Sequence, residues 1–341
     1  MDAARTTTGT GTTQLPGWAG AAVSLTGRPA RRRPLVLPAQ WAATPLTVVM
    51  PTYDEALTLT VVADALLALP LPGLRLLVVD DASPDGTGQL AERLALRHNT
   101  PGRPWRMAVL HRPAKAGLGR AYAAGMRWAL AEQGSGYVLQ MDADGSHPVA
   151  AVPELLGVAC SLGAGLVVGS RYAPGGTLSA RWALHRRLLS GGGNRYARTV
   201  LGSRVRDLTG GFNLWGVETL RRLRPATAGS TGYAFQMELK HRALRAGARA
   251  VEVPITFAER RAGDSKMSLA VQTEAALLPW RLRLRDLREV PAPPALRRLP
   301  LLRRDRVRPR IAPPAGTGVG AGPRRTAAAG AATAAPGLRG R

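Results

Sequence analysis

The sequence predicts an α/β fold: a mostly parallel sheet with helices on both faces. Three observations carry this. Short, mainly apolar runs recur between residues 46 and 168. Segments with helical apolar spacing lie between them. A polar or acidic cluster follows the end of one run after another. Strands that are apolar throughout, and do not alternate, are buried on both faces, as in parallel sheets.

Leu46–Met50 is the first strand and stops before Pro51. Ala56–Leu69 is helical in spacing, and Leu74–Val79 is a second buried strand that runs into Asp80-Asp81. Gly86–Leu96 reads as a helix and Met107–Leu110 as a third strand. Leu118–Ala131 is a helix with Ala, Met, Trp and Leu on one face. Tyr137–Met141 is a fourth strand, Val149–Ser161 a helix and Leu166–Val168 a fifth strand. Residues 46–284 are expected to form one folded domain. Residues 1–45, with the run Arg31–Arg33, and residues 285–341, rich in Pro, Ala and Arg, read as disordered basic tails.

The 341 residues suffice for a sizeable core. The single cysteine, Cys160, excludes an intrachain disulfide, argues against a zinc cluster and reads as core filler. The formal charge of +25 points in general to nucleic acid or an anionic membrane. Most of it lies in the flanks: residues 281–341 alone carry fifteen basic and three acidic side chains. No zinc spacing, RNA-binding aromatic motif or basic zipper accompanies the charge, so a nucleic-acid-binding protein rests on charge alone. Gly117-Leu118-Gly119 lacks the next glycine in register and follows the wrong strand, which sets aside a Rossmann dehydrogenase. No apolar segment reaches the roughly 20 residues of a membrane span. No secretory leader is expected at the Thr/Gly-rich start.

In such sheets ligands bind outside the carboxyl ends of the strands. The polar clusters fall there: Pro51-Thr52-Tyr53-Asp54-Glu55, Asp80 to Thr87, Asp142-Ala143-Asp144-Gly145-Ser146-His147-Pro148 and Gly169-Ser170-Arg171-Tyr172. Asp142 and Asp144 share a side of an extended segment and suit a hard cation that bridges phosphates. Alone, such a pair reads as a solvated turn; after a buried strand and opposite a second acidic cluster, it reads as a metal site. Asp81, at a strand end, suits ribose hydroxyls or a base amine. Asp85 suits a helix cap. His147 suits either a ligand or base role or a structural hydrogen bond.

Further motifs follow in order: Arg186 and Ser190 in H-R-R-L-L-S, D-L-T-G-G-F from Asp207, Y-A-F-Q-M-E from Tyr233, E-V-P-I from Glu252, and F-A-E-R-R-A-G-D-S-K from Phe257 to Lys266. In this order, over roughly Leu46 to Ser268, the clusters resemble the family 2 glycosyltransferases of GT-A fold. The later ones are similar to the dolichol-phosphate (polyprenol-phosphate) mannosyltransferase branch. The resemblance implies a mannosyltransferase using GDP-mannose and dolichol or polyprenol phosphate, inverting, with Mg2+ or Mn2+. It places Pro51, Tyr53, Glu55, Asp81 and Asp142 at the nucleotide sugar. It makes Asp142, Asp144 and Ser146 the metal positions, with serine standing where relatives often have glutamine. It assigns the acceptor phosphate to Arg171, Arg186 (or its neighbour Arg187), Ser190, Arg260 and Lys266. Asp144, Arg171 and Arg260 are the expected catalytic residues. A UDP-glucose transferase of the same fold is the nearest alternative.

Nothing after Ser268 reads as a membrane span, although many relatives carry C-terminal ones. Gln272–Leu287, with Trp280 and leucines beside arginines, reads either as an interfacial helix or as a packing helix interrupted by Pro279. Trp182–Leu201 is a second candidate for lipid contact. The expected location is peripheral, on the cytoplasmic face of the membrane. The basic tail there meets anionic lipid or a membrane-integral partner.

Overall fold

The computed structural model describes residues 35–132, 134–179, 184–230, 232, 234–259 and 269–288. A short helix α1 (Ala39–Ala42) precedes β1 (Leu46–Thr52). Then come α2 (Leu59–Leu67), β2 (Leu74–Asp80), α3 (Thr87–His98), β3 (Met107–His111), α4 (Leu118–Ala131), β4 (Tyr137–Gln140), α5 (Val152–Leu162) and β5 (Leu166–Ser170). The second half adds β6 (Thr177–Leu178), α6 (Leu184–Leu201), β7 (Asn213–Gly216), α7 (Val217–Leu223), α8 (Ala234–Arg245), β8 (Ala250–Pro254), β9 (Thr256–Phe257) and α9 (Leu269–Arg288).

Every strand and helix expected between residues 46 and 168 is present. β1 continues through Pro51, where the sequence reading stopped it. The reason is local: β4 pairs with β1 only as far as Val49, so the amide that Pro51 lacks falls beyond β4. The folded region is also longer at both ends than expected. Leu37 and Ala42 pack against the core ahead of Leu46, and α9 runs past Leu284. Pro279 does not break α9, because Leu278 and Leu282 are buried on either side of it.

Seven strands form one sheet in the order β3-β2-β1-β4-β7-β5-β8. All neighbours are parallel except β7, which runs antiparallel to both β4 and β5. β6 and β9 form a separate parallel pair. Side chains alternate between two cores. Leu46, Val48 and Met50 face α2, α3 and α5; Val49, Leu77 and Val79 face α4, α7 and α8. The reversal of β7 matters for function. Its first residue, Asn213, pairs with Gln140 at the end of β4, so the segment leading into β7 arrives at the edge where β1, β2, β4 and β5 end.

α4 lies very close to the sheet at Gly125. A Cβ there would stand 2.4 Å from Val49 Cγ1 and 2.8 Å from Val79 Cγ2. Gly125→Ala is therefore expected to cost about 1–3 kcal/mol in chemical denaturation, although alanine is the better helix former. Gly193, within α6, meets nothing within 4 Å. Gly193→Ala is expected to be neutral or to stabilise by up to about 1 kcal/mol. Equal effects at the two positions would contradict this packing.

Candidate active site

The loop after β4 is built around Asp142 and Asp144. Tyr122, from α4, donates its hydroxyl hydrogen to Asp142 Oδ1 at 2.6 Å. The Asp142 amide donates to His147 Nδ1 at 3.0 Å. Since that nitrogen must accept, the neutral ring carries its hydrogen on Nε2, 3.9 Å from Asp142 Oδ2. Burial holds the imidazole below its ordinary pKa, against the pull of Asp142 and Asp144. His147 also stacks on Phe212 and meets Phe257 edge-on. Of its possible roles, the structure assigns it the structural hydrogen bond. Ser146 is buried, and both its amide and its hydroxyl donate to Asp144 Oδ1, at 3.0 and 2.7 Å. Ser146 thus orients Asp144.

The loops after β1 and β2 make a second wall. Asp54 and Ala82 both adopt left-handed φ, +56° and +60°, uncommon strain for non-glycine residues at a ligand edge. Lys115 Nζ lies 3.6 Å from the centre of the Tyr53 ring. Asp81 is buried, ion-paired with Arg112, and accepts from the amides of Ala116 and Gly117 at 3.0 and 2.8 Å. It anchors the loop that carries Lys115. Glu55 accepts from the Thr58 hydroxyl at 2.9 Å, and Pro51 lies inside β1. Asp85 accepts from the Thr87 hydroxyl and from the amides of Thr87 and Ala56, but Gly86, not Asp85, is the cap residue of α3; burial alone would raise the Asp85 pKa, but these bonds lower it.

The third wall rests on Asp207, which is fully buried. It accepts from Arg171 three times: from its amide at 3.0 Å, Nε at 2.8 Å and Nη2 at 2.7 Å. Arg171 Nη2 also reaches Thr209 Oγ1 at 2.9 Å. Lys240 Nζ, buried on α8, donates to the carbonyls of Asp207 and Gly210, each at 2.7 Å. Glu252 of β8 accepts from the Asp207 amide, and Asn194 of α6 from the amides of Leu208 and Thr209. Burial would raise the Asp207 pKa, yet Arg171, with Lys240 behind it, holds it at about 2. Burial pulls Lys240 down to about 7. Arg171 is thus neither ordinary surface charge nor an open phosphate clamp. The Tyr172 hydroxyl donates to Ser190 Oγ at 2.7 Å, and Arg186 is exposed one turn before Ser190 on α6. Arg260 and Lys266 lie outside the described residues.

Residues 47–223 match the glycosyl transferase family 2 pattern. The chain is 44% identical over 221 residues to polyprenol monophosphomannose synthase of Mycolicibacterium smegmatis, covering 65% of this chain and 80% of that one. It is 42% identical over 233 residues to undecaprenyl-phosphate mannosyltransferase of Micrococcus luteus, covering 67% and 90%.

The chain belongs to glycosyltransferase family 2.

Among solved structures, this family 2 glycosyltransferase shares its fold with the mannosyltransferase PcManGT from Pyrobaculum calidifontis, in complex with GDP-Man and Mn2+. The TM-score is 0.51 at 20% identity, covering 75% of this chain and 68% of that one. Glucosyl-3-phosphoglycerate synthase from Mycobacterium tuberculosis, in complex with Mn2+, UDP and glucosyl-3-phosphoglycerate, gives 0.50 at 20% identity, covering 71% and 80%. A divalent ion of this fold family fits the residues present here. Asp142 and Asp144 offer carboxylate oxygens, the donors that Mg2+ and Mn2+ prefer, whereas the Nδ1 of His147 is already engaged. Among the described residues no cluster of three His, Cys, Asp or Glu side chains forms, so waters or substrate oxygens would complete the shell.

Sequence reading of this glycosyltransferase did not assign roles to Tyr122, Arg112, Lys115, Asn194, Gln236, Lys240 or Glu252. Two signals were available. Lys240 is one of only three lysines. Gln236 and Lys240, four apart on α8, are polar residues in a stretch that is buried throughout, Ala234 to His241.

The depressed pKa of Asp207 fixes a sign. The unfolded carboxyl, near 3.8, holds a proton at pH values where the folded one, near 2, does not. Its stabilisation, about 2 kcal/mol, is therefore fully present above pH 4 and lost as pH falls through 2. Asp207→Asn is expected to flatten stability between pH 4 and pH 2 in urea titrations. It also leaves Arg171 buried beside a neutral amide, so a loss of about 3–5 kcal/mol is expected at pH 7. A loss below about 1 kcal/mol at pH 7 would contradict the role given to Asp207.

Proposed function

We propose that the chain transfers mannose from GDP-mannose to a polyprenyl phosphate, with inversion, at the cytoplasmic face of a membrane. The observation that carries this reading is the meeting of the Asp142–Asp144 loop with the Arg171–Ser190 wall on one sheet edge. The two mannosyltransferase relatives, whose names specify polyprenol and undecaprenyl phosphate, support the acceptor class. The GDP-Man complex of the similar fold is consistent with the donor.

In this reading Tyr53, Lys115 and Glu55 border the nucleotide, with Asp81 holding their loop. Asp142 and Asp144 hold Mg2+ or Mn2+, which would neutralise charge on the departing diphosphate. A lipid phosphate is already anionic near neutral pH and needs no strong general base. An oxygen of that phosphate attacks the anomeric carbon, the bond to the diphosphate breaks on the opposite side, and the anomeric centre inverts. In this reading Arg186 and Ser190 on α6 hold the acceptor in line, with Arg260 and Lys266 as further proposed phosphate contacts. Arg171, locked by Asp207, contributes a fixed positive charge beside the acidic loop.

The acceptor needs a lipid surface, and α6 with α9 offers one. Leu277, Trp280, Leu284 and Leu287 are exposed, and their spacing places them on one face of α9. Leu184, Leu188 and Leu189 are exposed on α6, and Tyr196 of α6 donates to the Ala276 carbonyl of α9 at 2.7 Å. Arg281, Arg283 and Arg288 are exposed on the same α9, suiting anionic headgroups. Among the described residues no helix is long and apolar enough to cross a membrane.

Transfer of labelled sugar from GDP-mannose to polyprenyl phosphate is expected to require Mg2+ or Mn2+ and to fall at least about 100-fold in Asp144→Ala. Full activity of that variant would sink the site, and stronger transfer from UDP-glucose would change the donor. Paired Trp280→Glu and Leu284→Glu substitutions are expected to stop flotation with anionic liposomes. Removing residues 289–341 should only weaken flotation, and chiefly at low salt. Unchanged flotation in the paired variant would remove the α9 face from the account.

A further inference from the structure

At the sheet edge one buried group has hydrogens to donate and no acceptor. Gln236, at the start of α8, is 1% exposed, and its amide is oriented from behind. Trp215 Nε1 can only donate, and it gives its hydrogen to Gln140 Oε1 at 2.6 Å. Gln140 must then present its own NH2, which donates to Gln236 Oε1 at 2.7 Å. The oxygen of Gln236 is therefore the acceptor end and Nε2 the donor end. Nε2 is buried without a hydrogen-bond partner among the described residues. Buried donors are ordinarily satisfied, so this one points to a ligand acceptor.

The place it faces is defined by Gly211. A Cβ on that residue would stand 3.5 Å from Gln236 Nε2, 3.5 Å from Asp142 Oδ2 and 3.5 Å from His147 Cε1. These are ordinary contact distances, so the spot over Gly211 takes one heavy atom. It has a donor on one side and a carboxylate on the other. A phosphate oxygen there would meet the Asp142 charge, and a metal ion would meet the positive end of the Gln236 amide. A neutral hydroxyl suits both neighbours, because it accepts from Gln236 and donates to Asp142. Gly211 is only half-buried, so the spot opens toward the cleft.

We propose that Gly211, Gln236 and Asp142 form a cradle that reads one hydroxyl of the sugar being transferred. The inference rests on the reading of this chain as a transferase of a nucleotide-linked hexose. Gly211 contributes by having no side chain. Gln236 acts directly on the sugar, and Gln140 and Trp215 act through Gln236 by fixing which end of its amide points out.

The test is calorimetric binding of GDP and of GDP-mannose, each with Mn2+, to the full chain and to two variants. Gly211→Ala fills the spot at ordinary contact distances and leaves Gln236 in place. Gln236→Met removes the donor, and thermal melts report whether it stays folded. Both variants are expected to bind GDP as the unaltered chain does and to bind GDP-mannose about tenfold more weakly. A GDP-mannose analogue lacking the contacted hydroxyl should bind the unaltered chain about tenfold more weakly, with no further loss in Gly211→Ala. Equal weakening of GDP and GDP-mannose would overturn the proposal in favour of a water that serves the diphosphate side. Unchanged GDP-mannose binding in Gly211→Ala would overturn it outright. So would an unaltered chain that binds GDP-mannose no better than GDP; the donor itself is decided separately by the transfer assay.

Discussion

A carboxylate with no exposure to water needs its charge answered from every side, and Asp207 has that. Arg171 answers with three hydrogen bonds and a full positive charge, and the Gly210 amide adds a fourth contact at 2.8 Å. The main chain around it is held by Lys240, Glu252 and Asn194, each from a different element. The pair therefore ties the end of β5 to α6, α8 and β8. A buried ion pair is weak grounds for stability by itself, since desolvation offsets most of its attraction. Here its consequence is positional. It pins the segment before β7 against the acidic loop, and it leaves Arg171 as a rigid cation with few alternative partners.

The sheet order makes that placement unavoidable. β7 enters antiparallel between β4 and β5, so its leading segment must arrive where its neighbours end. Phe212, at the close of that segment, stacks on His147, and Phe257 lies between His147 and Arg171. Acidic and basic walls thus share a small aromatic wedge. The arrangement keeps opposite charges near each other without letting Arg171 collapse onto Asp142, which suits the two phosphates of the proposed reaction.

The half that carries Asp81, Asp142 and Asp144 was legible in the sequence because its signals are local. An apolar run followed by acidic residues needs only the strand to end in order to be placed, and Asp142 and Asp144 fell where expected. The second half was harder. β7 is four residues long, and its reversal is a property of pairing partners far apart in the chain, which no local pattern encodes. Ser146 shows a related limit: its turn brings its hydroxyl back onto Asp144 two residues away, a contact that spacing alone does not reveal. The roles of Lys240 and Gln236 depend on α8 being buried all the way from Ala234 to His241, and α8 is polar enough that its sequence does not show it.

In the proposed reading these walls form one edge at which an ion at Asp142 and Asp144 would meet a diphosphate, with the fixed charge of Arg171 opposite. The most direct measurement is anomalous diffraction from crystals grown with Mn2+ and GDP. The account predicts a manganese peak within bonding distance of carboxylate oxygens of both Asp142 and Asp144, bridging to the diphosphate. A peak elsewhere, or nucleotide bound with no metal beside those two residues, would contradict it.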